Sequence, residues 1–166
     1  MTRLAEIEAH IGSMGELLDI VGAMRSLAGM RMQEAQRTVP SIRRYAESVA
    51  GGIADTLLLM GEPDPAPRAM HAGLALVLCT AEHGFVGGFN ERLVEAAQAL
   101  LGPSDALFVL GSRGAALTFE RGRRATWTHP MATRCAAVPE TIQRLSAELY
   151  RRIARGQIAR VEAVYA

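Results

Sequence analysis

Between Leu4 and Ile53 the chain repeats apolar or small side chains in alternating steps of three and four. The series is Leu4, Ile7, Ile11, Met14, Leu18, Val21, then Ala28, Met32, Ala35, Val39, Ile42, Ala46, Val49 and Ile53. This is the heptad seam of a coiled coil, interrupted only at Arg25. A second row, Leu17, Ile20, Met24 and Leu27, widens the stripe. At about 1.5 Å per residue, a helix over residues 3–60 would be about 90 Å long, several times the width of a domain this size. The remainder of a 166-residue chain cannot bury it, so the pattern demands a partner helix.

Gly15, Gly22 and Gly29 recur every seventh position and line one edge of the seam. Each costs about 1 kcal/mol against Ala in a helix, and close approach of a second helix is the usual compensation. Pro40 falls inside the pattern and predicts a kink, or a split with a restart near Ser41. Gly51-Gly52 weakens the last turns. The segment Gly61-Glu62-Pro63-Asp64-Pro65-Ala66-Pro67 reads as a semi-rigid linker. The sequence therefore divides into a coiled-coil helix over 1–60, a Pro-rich linker over 61–71 and a second domain over 72–166.

In that second domain short apolar runs alternate with helical patterns. Leu74 to Cys79 reads as a buried strand, followed by a Gly-rich loop. A helix with Asn90 as its N-cap then runs to Leu101 and is stopped by Gly102-Pro103. Ala106 to Leu110 is a second strand, Gly111-Ser112-Arg113-Gly114 a turn, and Ala115 to Glu120 a short helix. A weak strand is expected over Ala125 to Thr128. A helix opens at Pro139 and runs to Gly156, and a last strand begins at Val161. The alternation predicts βαβ units: an α/β, Rossmann-like fold with a mainly parallel sheet and helices on both faces.

Charge and composition remove several function classes. Eighteen basic and seventeen acidic residues leave a net charge of +1, without the basic excess of a general nucleic-acid binder. Every basic residue other than His is Arg, which excludes Schiff-base chemistry and a phosphate-loop Lys. Cys79 and Cys135 form no CxxC pair, and with no recognisable leader a reducing cytoplasm is expected. The longest apolar runs are strand-sized, so no membrane insertion is expected. The four His residues are scattered, which predicts no metal site.

The loop Glu82-His83-Gly84-Phe85-Val86-Gly87-Gly88-Phe89-Asn90 follows a strand and opens a helix, the setting in which backbone N–H groups bind anions. Its order is G-x-x-G-G rather than G-x-G-x-x-G, so a tight strand-to-helix connection is the expectation and a bound nucleotide the alternative. Glu82-His83 lacks a placed nucleophile and a third orienting group, so no catalytic residue is assigned. Arg121, Arg123 and Arg124 beside Trp127 read as a solvated loop rather than an RNA contact.

Several of these segments together resemble the gamma subunit of F-type ATP synthases. Ile11-Gly12-Ser13-Met14, then Ile20 to Ala28, then Ala35-Gln36 are similar to the I-x-S, K-I-T-x-A-M-x-[ML]-V-A and closing A-Q elements of that subunit's N-terminal helix. Arg44-Tyr45-Ala46-Glu47 resembles a Tyr-Ala-Glu element further along it. Thr80 to Asn90 resembles [ST]-D-[RK]-G-L-C-G-G-[FL]-N, and Gly111 to Gly114 resembles G-x-[KR]-G. The resemblance covers essentially the whole chain, in order.

The resemblance implies a non-catalytic rotor subunit without a cofactor, peripheral on the cytoplasmic side of the bacterial inner membrane. The implied partners are the alpha and beta subunits of the catalytic head, the epsilon subunit and the membrane ring. Ala23, Met24, Arg25 and Leu27 would then lie where the helix meets the head. Glu82, His83, Gly84, Gly87, Gly88 and Asn90 would form the family signature loop. The sequence also departs from the pattern. The basic K-I-T-[KR] becomes Asp19-Ile20-Val21-Gly22, Asp-Arg becomes Glu82-His83, and Leu-Cys becomes Phe85-Val86. The family continues past the strand that holds Ala163 and supplies a second coiled-coil helix, so a fragment or a short paralogue lacking that helix is expected. The exposed seam is then expected to self-associate. The alternatives are a small nucleotide-binding α/β enzyme and a gamma-derived helical adaptor.

Overall fold

The computed structural model describes residues 2–60 and 73–166, so the proposed linker lies outside the described residues. The chain falls into two compact units, Met1–Gly61 and Glu62–Ala166.

The first unit is one α-helix, α1, Thr2–Met60. Its 59 residues correspond to about 90 Å at 1.5 Å per residue. The seam residues Leu4, Ile11, Met14, Leu18, Val21, Met32, Ile42 and Ile53 are all exposed. The expected split at Pro40 does not occur; helical geometry continues on both sides. Proline removes only its own N–H bond, to the carbonyl of Gln36, and the ladder before and after it stays intact. The Gly51-Gly52 pair is likewise helical. Ser26, Thr38, Ser48 and Thr56 each donate a hydroxyl to the carbonyl four residues back, satisfying polar groups along the exposed rod.

The second unit is α/β, as the alternation of patterns predicts. It runs β1 Gly73–Cys79, α2 Phe89–Leu100, β2 Ala106–Leu110, α3 Ser112–Glu120 and β3 Trp127–His129. A 3-10 turn at Cys135–Ala137 then leads into α4 Val138–Ala154 and β4 Ile158–Val164. The sheet order is β3-β2-β1-β4, and every pair is parallel. Leu76 and Leu78 of β1 stand beside Leu107 and Val109 of β2. They form one core with Leu93, Val94 and Ala97 of α2, against which Ala115 and Leu117 of α3 pack. The alternate residues Ala75, Val77, Phe108 and Leu110 form a second core with Leu145 of α4. Two apolar faces on each central strand are what a sheet covered by helices on both sides requires.

Several boundaries differ from the sequence reading, each for a local reason. Ser112 to Gly114 is the first turn of α3 rather than a separate turn. Asn90 lies inside α2, whose N-cap is Gly88, and makes no capping bond. The third strand is displaced to Trp127–His129. The helix expected to reach Gly156 ends at Ala154, and Gly156 follows with φ 68°. β4 starts at Ile158, earlier than Val161, because backbone pairing to β1 extends past the alternating side chains.

Candidate functional site

In a parallel sheet the loops that leave the carboxyl ends of the strands surround the usual site. Here those loops are tied to one another by short contacts. Thr80, buried directly after β1, donates its hydroxyl to the carbonyls of Leu110 and Gly111, at 2.7 and 3.3 Å. Its backbone N–H reaches the same Leu110 oxygen at 2.8 Å.

Both glycines of the Gly111-to-Gly114 segment serve that approach. A Cβ on Gly111 would fall 2.8 Å from the Thr80 carbonyl carbon, and one on Gly114 would fall 2.6 Å from Thr80 Cβ. Gly111 also has φ 105°, which L side chains disfavour. So α3 begins against the end of β1, and only glycine leaves room for Thr80.

Glu82 closes the same end of the sheet. Its carboxylate accepts the Ser112 N–H at 3.1 Å, the Ser112 hydroxyl at 2.5 Å and the Met131 N–H at 2.8 Å. One side chain thus joins the loops following β1, β2 and β3. Burial alone would raise its pKa. The bonds from the Ser112 hydroxyl, the Met131 N–H and the Ser112 N–H, with the neighbouring His83 charge, outweigh burial and hold it below the ordinary value. Asn90, also buried, accepts the Ala81 N–H through Oδ1 at 3.0 Å and ties α2 to the end of β1.

Phe89 packs on the first core, while the middle of the loop faces solvent. His83 is exposed, Gly84 lies beside the Arg113 guanidinium, and Gly87 has φ 54°. Phe85 has φ 62° and is fully exposed. The structure therefore brings Glu82 and Asn90 into one framework with Thr80, Ser112 and Gly114, and leaves His83 out of it.

Among the described residues no group of three His, Cys, Asp or Glu side chains is placed to hold a metal ion. The cavity of about 220 Å³ lined by Gly111, Ser112, Ala115, Thr128, His129 and Pro130 is smaller than typical small-molecule sites. Of the two hydroxyl side chains that line it, Ser112 is already committed to Glu82. Sequence reasoning missed Thr80, Ser112 and Met131, whose roles depend on contacts between distant loops.

In α1, Ala23, Met24, Arg25 and Leu27 do not share one face. Successive residues turn by about 100°. Arg25 stands on the seam, Met24 lies about 100° round from it, and Leu27 and Ala23, one turn apart, share the side away from it. Met24 and Leu27 are both exposed. No helix among the described residues is long and apolar enough to cross a membrane.

A family profile for ATP synthase matches residues 3–166. The ATP synthase gamma chain of Sinorhizobium medicae is 31% identical over 104 residues, covering 59% of this chain and 35% of its own. That of Paracoccus denitrificans is 29% identical over 126 residues, covering 69% and 43% respectively. That of Desulfosudis oleivorans is 32% identical over 104 residues, covering 61% and 35%. The match thus spans about a third to two fifths of the length of these relatives. With its profile match running through both the long helix and the α/β unit, the chain belongs to the ATP synthase gamma-chain family.

Proposed function

We propose that this chain acts as a non-catalytic part of the central stalk of an ATP synthase. In this reading α1 enters the head formed by the alpha and beta subunits, where Met24 and Leu27 supply the apolar contact and Ala23 and Arg25 flank it. The α/β unit sits outside the head, beside the epsilon subunit and the membrane ring, on the cytoplasmic face of a bacterial inner membrane. Turning of the stalk couples proton or sodium flow through the ring to ATP synthesis or hydrolysis in the head. The signature loop is a structural clamp in this account, because Glu82 and Asn90 spend their hydrogen-bonding capacity inside the fold.

The observation that carries the proposal is α1 itself: one helix of 59 residues with its apolar seam exposed along its length. Only burial against other subunits or another helix offsets so large an apolar surface. The test is co-purification of the tagged chain with co-expressed alpha and beta subunits. Native chain is expected to retain them, and Met24→Asp with Leu27→Asp to lose them while the α/β unit melts at its native temperature. Retention by the double variant would overturn the proposed contact. Failure of the native chain to bind any alpha or beta subunit would favour a helical adaptor.

A further inference from the structure

We propose that the β1–β4 pair is a mechanical joint, through which the α/β unit carries tension along the chain without unfolding. The chain enters the sheet at Gly73, the amino end of β1, and leaves β4 at Val164, its carboxyl end. The two strands are direct neighbours and parallel, so entry and exit lie at opposite ends of one ladder. A pull between the residues before Gly73 and those after Val164 therefore runs along the strands in opposite directions. It shears the ladder, and its six residue pairs, from Gly73–Ile158 to Leu78–Val164, resist together. In an antiparallel pair the same two points would sit at one end, and the pull would open the rungs one at a time. The inference rests on the stalk reading only for what supplies the tension; the joint itself is a property of the fold.

The ladder is built to fail as a whole or not at all. Alternate side chains of a strand face opposite sides, so a slip by one residue would turn Ile158 out of the second core and Val164 away from the first. Ala75, Leu76, Val77 and Leu78 of β1 are buried, which shields one side of the rungs from competing water and strengthens each bond. On its other edge β1 pairs with β2 from Ala75 to Cys79, so it is held in line while β4 pulls against it. β3, paired only to β2 at the far edge, lies outside this path.

The point of entry is anchored separately. The Gly73 N–H donates to the Gln157 carbonyl, just before β4, at 3.3 Å. The next N–H, of Leu74, donates to Asp105 Oδ1, just before β2, at 3.1 Å. The first two amides of β1 are thus held from opposite sides, at the place where tension arrives. Asp105 is itself fixed. Its Oδ2 accepts the Gly102 N–H at 2.7 Å, and its carbonyl accepts the Arg123 guanidinium at 3.1 Å. The same guanidinium nitrogen reaches the Gly102 carbonyl at 2.8 Å. Asp105 therefore passes force from the start of β1 into the connections that precede β2 and β3, and acts as the positioning residue of the joint.

Single-molecule stretching of the full chain tests the joint, in a Cys79→Ala, Cys135→Ser background that keeps native circular dichroism. Handles attached at Ala72→Cys and Tyr165→Cys shear the ladder. Handles at Ala72→Cys and Gln157→Cys draw apart the amino ends of both strands and peel it. Tyr165 and Gln157 are exposed, so these attachments leave the core intact. Forced unfolding reads the barrier along the direction of pull, and the shearing pair is expected to need a several-fold higher force than the peeling pair at one loading rate. Asp105→Ala should bring the shearing force down toward the peeling value. Equal forces for the two handle pairs would overturn the proposal, and an unchanged shearing force in Asp105→Ala would overturn the role given to Asp105. No alpha or beta subunit takes part, so failure here leaves the stalk reading standing, and loss of co-purification leaves the joint.

Discussion

Glu82 accepts both the hydroxyl and the backbone N–H of Ser112, at 2.5 and 3.1 Å, although the two residues belong to loops leaving different strands. With the Met131 N–H at 2.8 Å, three donors converge on one carboxylate, and three strand ends are locked together without a disulfide or metal. The arrangement needs an ionised acceptor with several lone pairs, which an amide provides only in part.

Replacing Glu82 by Gln is therefore expected to cost about 1–3 kcal/mol at neutral pH, since one or more donors lose their acceptor. The folded carboxylate has a pKa below its ordinary value of 4.5. Its stabilisation is fully present above 4.5 and lost as pH falls through the lower folded value. Thermal unfolding of the native chain from pH 7 down to pH 3 should show that loss, and the Gln variant should lack this component of it. Parallel curves for the two proteins would show that the clamp contributes nothing.

Gly114→Ala should destabilise the α/β unit by about 3 kcal/mol, the cost of overpacking a site that cannot expand. Its new Cβ meets Thr80, which is buried and fixed by bonds to Leu110 and Gly111. Gly87→Ala is the control. It carries backbone strain alone, because a Cβ there meets nothing within 4 Å, and should cost about 1–2 kcal/mol. Denaturant melts of the two variants measure the difference.

Glu148 on α4 is held by Arg151 and Arg152, at 2.6 Å from each. The Arg151 bond is the largest influence on it; burial opposes, Arg152 adds to the lowering, and the pKa falls to about 2. Arg152 also lies over the ring of the fully buried Phe108, at 5.4 Å, so the pair ties α4 to the sheet. A double-mutant cycle of Glu148→Ala and Arg152→Ala is expected to give a coupling of about 1 kcal/mol. The coupling should persist down to pH 4.5 and disappear as pH approaches 2. A coupling near zero at pH 7 would reduce the pair to a solvated contact.

Phe85 holds a left-handed backbone and buries none of its ring. Phe85→Gly should stabilise the isolated chain by about 0.5–1 kcal/mol, because relief of a strain of about 1–2 kcal/mol exceeds the entropy that glycine loses. Calorimetric melting decides it, and a destabilised variant would mean that the ring packs where the structure shows it exposed.

Much of the α/β unit was legible because its central strands are buried on both faces and read as uninterrupted apolar runs. The second strand, Ala106–Leu110, follows its run residue for residue. Elements fixed by distant contacts were not legible. Gly111 and Gly114 look like a turn in sequence, yet they open a helix, and their smallness answers Thr80 some thirty positions earlier. Asn90 has the chemistry of an N-cap, but its oxygen is taken by Ala81 across the loop. Nothing local to Glu82 announces that its partners are Ser112 and Met131. In α1 the heptads were plain, and the misjudged feature was Pro40, where the loss of one bond does not end a helix of this length.

The Ser112 and Met131 amides hang on the same carboxylate, so a movement of Glu82 releases both at once. Their exchange clocks are coupled, although one opens a helix and the other follows the shortest strand. One acidic side chain thereby links the opening of two loops at one end of the sheet.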